Sequence, residues 1–192
     1  LGDLLPLTGT AYVTGAEAQA ATGEPQAERV ANATTVQGFT FCFFVEFRPG
    51  ERHVIDKPAN YEALRDRRPY TLDLRKPDGS PYPFRFFERS ATGNPPFWTY
   101  RRVRDGRLLD PAGALTDIAL INWESNDYPW ATILDVDDAA QERALAEAKA
   151  LSLGFLYYLQ TELPRDDGEG VGYPELLLRR DLAGTADGLC MA

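Results

Sequence analysis

The sequence predicts an α+β fold: a largely antiparallel or mixed sheet packed with one long helix and a few short helices. Two observations carry this. Several short strand patterns follow one another, each bounded by turn residues, as antiparallel sheets require. One helical pattern, over residues 137–160, is longer than any other in the chain. A length of 192 residues suits a core of its own, so residues 1–192 read as a single domain.

In chain order, residues 1–8 form a short extended or turning segment broken at Pro6. The Ala-rich run 16–22 predicts a brief helix, with Gly23 placed for a left-handed cap. Asn32-Ala33-Thr34 matches a glycosylation triplet, a pattern frequent by chance. Residues 35–47 make the strongest strand. Phe39, Phe41, Phe43, Val45 and Phe47 alternate with Thr40, Cys42, Phe44 and Glu46, and apolar groups in both sets predict a central strand covered on two faces. A short helix is expected at 58–65 with Pro58 first. Strands at 71–74 and 82–87 flank the turn residues Pro77-Asp78-Gly79. Residues 97–104 predict another strand, and Asp105-Gly106 a hairpin into 107–109. A buried strand at 117–121 delivers the loop 122–130, and the long helix follows. Asp135, Asp137 and Asp138 offer cap oxygens, with Gln141 spaced for a capping box on Asp138. Leu145, Ala148, Ser152, Phe155, Leu156 and Leu159 fall on one stripe, and Pro164 stops the helix. A charged, Gly-rich loop at 165–172 and a short strand at 175–179 complete the pattern.

Charge narrows the function classes. A net charge of −9 opposes binding to nucleic acid or anionic membranes, so neither is expected as a partner. Acidic neighbours flank the basic clusters at 65–68 and 101–107, which read as solvated faces. No apolar run approaches the roughly 20 residues of a membrane span. Cys42 and Cys190 fit no metal or redox spacing, and a reduced, cytoplasmic setting is the simpler reading, with a disulfide between them left open. His53 is the single histidine, there is no GxSxG elbow, and Gly168, Gly170 and Gly172 lack the preceding strand of a dinucleotide fingerprint. No metal site and no catalytic residue are assigned.

The loop NWESNDYPW is the candidate site. Asn122 and Asn126 offer paired donors and acceptors, Asp127 a carboxylate and Tyr128 a phenol, while Trp123 and Trp130 offer flat apolar walls. Small-molecule pockets need this mixture of apolar lining and few polar groups. The competing reading is that the tryptophans anchor the loop to the core and the asparagines make turns. A carboxylate pair such as Glu46 with Asp127 would serve a hydrolase only with a raised pKa, of which the sequence gives no sign.

Three groups of segments carry a resemblance: LGDLLPLTG with YVTGAEAQAATGE, DIALINWESNDYPW with LSLGFLYYLQTE, and GYPELLLRRDLAGTADGL. In order and spacing they resemble bacterial FAD-dependent oxidoreductases of the glutathione-reductase-like flavoprotein fold. The resemblance implies a substrate-binding domain that covers the flavin, separated from the FAD-binding domain of the same parent chain. Gly2 and Asp3 would then lie near the cofactor, and Asn122, Trp123, Asn126, Asp127 and Tyr128 would form the wall facing a small organic substrate. The parent enzyme would transfer a hydride between that substrate and FAD, while this chain, with no GxGxxG, is expected to hold no FAD itself. The start at Leu1 and the apolar tail ADGLCMA agree with a piece of something longer, carrying an apolar face that self-associates. The alternative is a free-standing α+β module that binds a ligand or protein without catalysis.

Overall fold

A nine-residue strand, β1 (Phe39–Phe47), is the axis of the sheet in the computed structural model, which describes residues 4–192. The α+β expectation is met. The chain divides into two compact units, one of residues 4–38 with Pro129–Leu145, the other of Phe39–Tyr128 with Ala146–Ala192.

In the second unit β1 carries two antiparallel partners on each edge. The other strands are β2 (Leu74–Arg75), β3 (Pro81–Tyr82), β4 (Arg102–Arg104), β5 (Ile118–Ile121), β6 (Asp127–Tyr128), β7 (Leu176–Leu178) and β8 (Leu189–Met191). Phe43 pairs with both Ile121 and Leu189, and Val45 with both Ala119 and Leu178, so β5 lies on one edge and β7 with β8 on the other. Paired on both edges, β1 is buried on both faces between Thr40 and Val45 except at half-buried Phe44. β4 extends the sheet beyond β5, and β2 pairs with β3 as a separate ribbon. The apolar tail is itself a strand: β8 sets Cys190 directly opposite Cys42, both as free thiols.

The long helix, Asp138–Thr161, agrees with its sequence pattern. Asp137, one of the three aspartates the sequence offers as caps, accepts from Ala140 N at 2.7 Å. Ala148, Ser152, Phe155, Leu156 and Leu159 are fully buried, as is Leu151 beside them. Gly154 lies where Tyr70 crowds the helix, and a Cβ there would meet Tyr70 Oη. Tyr70 is itself held in a ring cluster with Tyr61, Phe155 and Tyr158.

Several element assignments change, each through tertiary partners. Residues 97–104 are not one strand. Phe97–Arg101 is a single helical turn, because the N–H groups of Phe97 and Trp98 bond the carbonyls of Arg85 and Phe86 at 2.8 and 2.9 Å. Those carbonyls are thereby removed from any ladder, and the expected strand at 82–87 shrinks to β3. The N–H groups of Phe86, Phe87 and Glu88 instead converge on the Asp166 carboxylate. Asp105-Gly106 is no hairpin: Asp105 caps a short helix, Gly106–Leu109, by accepting from Leu108 N at 3.1 Å. Gly106 is small because a Cβ would strike the Leu115 carbonyl. The helix expected at 58–65 runs Tyr61–Arg67, with Pro58 before it.

In the first unit, Leu4–Leu7 and Gln19–Thr22 are short helices, the second closed by Gly23 at φ 74° as the sequence indicates. Asn32 Oδ1 accepts from both the N–H and the hydroxyl of Thr34, so the glycosylation triplet forms an Asx turn.

Two measurements test this packing. Alanine favours helix over glycine by about 1 kcal/mol, yet Gly154→Ala is expected to destabilise by about 1–3 kcal/mol through overpacking. Adding Tyr70→Phe should recover part of the loss in urea melts, and a stabilised single variant would contradict the geometry. Glu46 is buried, and burial alone would raise its carboxyl pKa. Hydrogen bonds from Thr116, Arg48 and Arg179 outweigh that and hold it below the ordinary 4.5. With the folded value depressed, its contribution is complete above the unfolded pKa and is lost as pH falls through the folded one. Glu46→Gln should cost about 2–4 kcal/mol at neutral pH and flatten the acid limb of stability; parallel acid limbs would refute this.

Candidate functional site

The site begins with a gap in the sheet. On one edge of β1, β5 pairs with residues 43–46 and β6 with Phe39 and Thr40, leaving Phe41 between them without a strand rung. Residues 122–126 leave the sheet across this gap, with Glu124–Asn126 wound as a 3₁₀ turn. Asn126, fully buried, replaces the missing rung. Its Nδ2 donates to the Phe41 carbonyl at 3.0 Å and its Oδ1 accepts from Trp123 N at 2.8 Å. Ser125 both accepts from Thr71 N and donates to Thr71 O, which ties the turn to the chain before β2. Arg68 braces the outer side through Glu124 at 2.8 Å and the Asp127 carbonyl at 3.2 Å. The loop is therefore fixed at four points.

This framework presents Trp123 to a cavity of about 340 Å³ whose walls include Leu74, Tyr82, Phe84, Tyr100, Arg101 and Asp127. The indole ring is 3% exposed, with Phe84 and Phe97 edge-on at 5.0 Å each. Its Nε1–H, although buried, has no hydrogen-bond partner among the described residues. Arg101, the last residue of the 97–101 helical turn, is stacked between Tyr100 and Trp123 at 4.8 and 5.1 Å from their ring centres. Its buried Nε also lacks a hydrogen-bond partner among the described residues, while the charge of the Asp127 carboxylate acts on its guanidinium. Burial draws the Arg101 pKa below the ordinary guanidinium value. Across the cavity Asp127 accepts from the Thr40 hydroxyl through Oδ1.

An unsatisfied buried donor is not peculiar to this cavity, since Arg85 Nε on the wall of the cavity near Tyr158 also lacks a hydrogen-bond partner. In the larger depression of about 910 Å³ beside Phe47 and Leu108, Asp117 accepts from Arg102 at 2.8 Å, Gly106 N at 2.8 Å and Trp98 Nε1 at 3.3 Å. In the cavity of about 310 Å³ near Tyr158, Asp166 is surrounded by backbone donors.

The residues expected at the site part company. Trp123 and Asp127 line the cavity. Asn126 supports it from behind with its amide engaged on both sides, and buried Tyr128 donates its hydroxyl to Glu147. Asn122 is half-buried away from the cavity walls, and Gly2 and Asp3 lie outside the described residues. Arg101 and Tyr100 were not visible in the sequence as site residues. Read as strand, they belonged to a solvated basic run; the signal was the Pro95-Pro96 pair, which sets up a helical turn. The basic cluster before the loop is matched, with Arg65, Arg67 and Arg68 paired to Glu162, Glu147 and Glu124. The ring of His53 bonds Glu51 at 2.7 Å. Glu46, with its depressed pKa, has the opposite property from a general acid.

Comparison with protein families, curated proteins and solved structures finds no match for this chain. No group of three or more His, Cys, Asp or Glu residues that would hold a metal exists among the described residues, and no helix is long and apolar enough to cross a membrane. The residues present do not fit FAD. Every strand pair among the described residues is antiparallel, so there is no βαβ unit to receive the ADP half. The three glycines at 168–172 follow the long helix, not a strand.

Asn126→Leu tests the support of the loop. It strands the Trp123 N–H and the Phe41 carbonyl, and is expected to cost about 2–5 kcal/mol. Protease cleavage within residues 122–128 should accelerate beyond that global loss; unchanged stability would show that the amide is not the missing rung.

Proposed function

We propose that this chain is the substrate-binding domain of an FAD-dependent oxidoreductase, and that the Arg101–Trp123 cavity is the wall receiving its small organic substrate. The observation that supports a ligand there is the cavity itself, about 340 Å³ with Tyr82, Phe84, Tyr100 and Trp123 as aromatic walls and Arg101 and Asp127 as charged groups. Small-molecule pockets combine apolar lining with a few polar groups in this way. The flavoenzyme part rests on the ordered resemblance of three sequence stretches, including NWESNDYPW, the loop that carries Trp123. When present, the flavin supplies the redox chemistry. This chain's part is to bind, orient and shield from water: aromatic walls exclude solvent, and the charged side chains of Arg101 and Asp127 give the ligand its direction.

A free-standing binding module is the second reading. It is favoured by the cavity lying wholly inside one compact unit, so that binding requires no further domain. The two separate on one experiment. The protein expressed from its whole reading frame should carry the visible absorption of a flavin, and the 192-residue chain should not. A colourless whole protein that cannot be reconstituted with FAD would remove the flavoenzyme reading.

A further inference from the structure

We propose that Cys42 and Cys190 form a reversible oxidation site, at which hydrogen peroxide converts the two thiols to a disulfide that clips the C-terminal strand β8 to the central strand β1. This goes beyond the reading of the cavity and does not depend on it.

Register brings the two residues together. Cys42 on β1 and Cys190 on β8 are direct partners in the antiparallel ladder, so their side chains leave the sheet on the same face. Ala192 N donates to the Thr40 carbonyl at 3.0 Å, which makes Thr40 and Ala192 a hydrogen-bonded pair. Two residues along, Cys42 and Cys190 occupy the same kind of position, where Cα atoms lie about 5.5 Å apart. Disulfides span that separation. Cys190 Sγ already lies 3.6 Å from the Cys42 carbonyl. A slip of one residue would send Cys190 to the opposite face. The start of β8 is tied against it: Leu189 N donates to Asp187, which pairs with Lys149 of the long helix at 2.6 Å, and the Thr185 hydroxyl donates to the Leu189 carbonyl at 2.8 Å.

The two thiols differ in access, and that assigns the steps. Cys42 is 2% exposed, and burial, followed by the neighbouring Cys190 thiol, pushes it up to about 11, whereas Cys190 is half-buried. Oxidation follows exposure and thiolate character, so Cys190 meets the peroxide. Its sulfur attacks one peroxide oxygen, the O–O bond breaks, and Cys190 becomes a sulfenic acid as water leaves. The Cys42 sulfur then attacks the Cys190 sulfur, the S–O bond breaks, and the hydroxyl departs as a second water with the Cys42 proton. Two thiols have given up two electrons, and one peroxide has become two waters. Opposed strands hold Cβ atoms about 4.5–5.5 Å apart, wider than the roughly 3.5–4.5 Å of a disulfide. Closure therefore draws the strands inward and leaves a bond that a thiol reductant opens readily. Asp127 and Arg101, which line the cavity, also act on the Cys42 thiol through their charges, so the clip adjoins the cavity.

Mass spectrometry of the folded 192-residue chain after hydrogen peroxide, and again after dithiothreitol, tests the proposal. The oxidised chain should lose two hydrogens and stay monomeric. Its non-reducing digest should hold one peptide pair joined through Cys42 and Cys190, and dithiothreitol should restore both thiols. The melting temperature should rise by about 5 °C or more on oxidation. Cys190→Ser should leave Cys42 reduced under the same treatment. Sulfinic acid at Cys190 with Cys42 still free, disulfides between chains, no reaction with peroxide, or a melting temperature that does not rise would each overturn it. If the variant does not fold, the digest of the unaltered chain still decides.

Discussion

The side-chain amide of Asn126 is the constraint on which the site depends. Interrupting a sheet edge leaves backbone groups that must find partners, since a buried carbonyl or N–H without one costs about 1–3 kcal/mol. Here the interruption exposes the Phe41 carbonyl, and the turn that causes it adds the Trp123 N–H. One planar amide meets both, at 3.0 and 2.8 Å. A leucine of similar size would fill the space and meet neither. The sheet thus continues through a side chain, and residues 122–126 pack Trp123 against Phe84 and Phe97 without melting the strands on either side. Asn126 Nδ2 also lies 3.5 Å from Ser152 Oγ on the long helix, so the same residue relates loop, strand and helix.

Polar groups elsewhere around β1 are satisfied with similar economy, which gives the exceptions their meaning. Gln160, 1% exposed, accepts from Ile55 N and donates to the carbonyls of His53 and Leu176. Glu46 gathers Arg48, Arg179 and the Thr116 hydroxyl. Against this background Tyr61 Oη, Arg85 Nε, Arg101 Nε and Trp123 Nε1 lack a hydrogen-bond partner among the described residues, and the last two belong to residues that wall one cavity. Cation–π stacking offsets part of the loss at Arg101, about 1–2 kcal/mol when desolvated, but it uses the faces of the rings and leaves the N–H fork open.

The sequence made the scaffold legible and the site only in part. Alternation from Phe39 to Phe47 shows on both faces because both are buried, and the long helix shows because its buried stripe keeps its period from Ala144 to Leu159. Local patterns of that kind survive any tertiary context. The turn at Phe97–Arg101 does not, since it is helical on account of carbonyls at Arg85 and Phe86, more than ten residues away. The C-terminal strand Leu189–Met191 was hidden for a related reason: three apolar residues have no period, and their partner, Phe41–Phe43, is far off in sequence. Composition pointed to the loop 122–130 as a place where aromatic and polar groups meet. It could not say that Asn126 faces inward, because an amide that binds ligand and one that replaces a ladder rung are the same residue.

Rigid support also bears on how strongly a small cavity can bind. Ordering a long side chain on binding costs about 0.5–1.5 kcal/mol, a large share of what a small ligand returns. Arg101 avoids most of that cost, since Tyr100 and Trp123 already hold its guanidinium from two sides. Trp123 is held in turn by Phe84 and Phe97 and by its backbone bond to Asn126. Asp127 is fixed through Thr40 on β1. Arg101, Trp123 and Asp127 are therefore set around the cavity by the helical turn at Phe97–Arg101, the 3₁₀ turn at Glu124–Asn126 and the sheet.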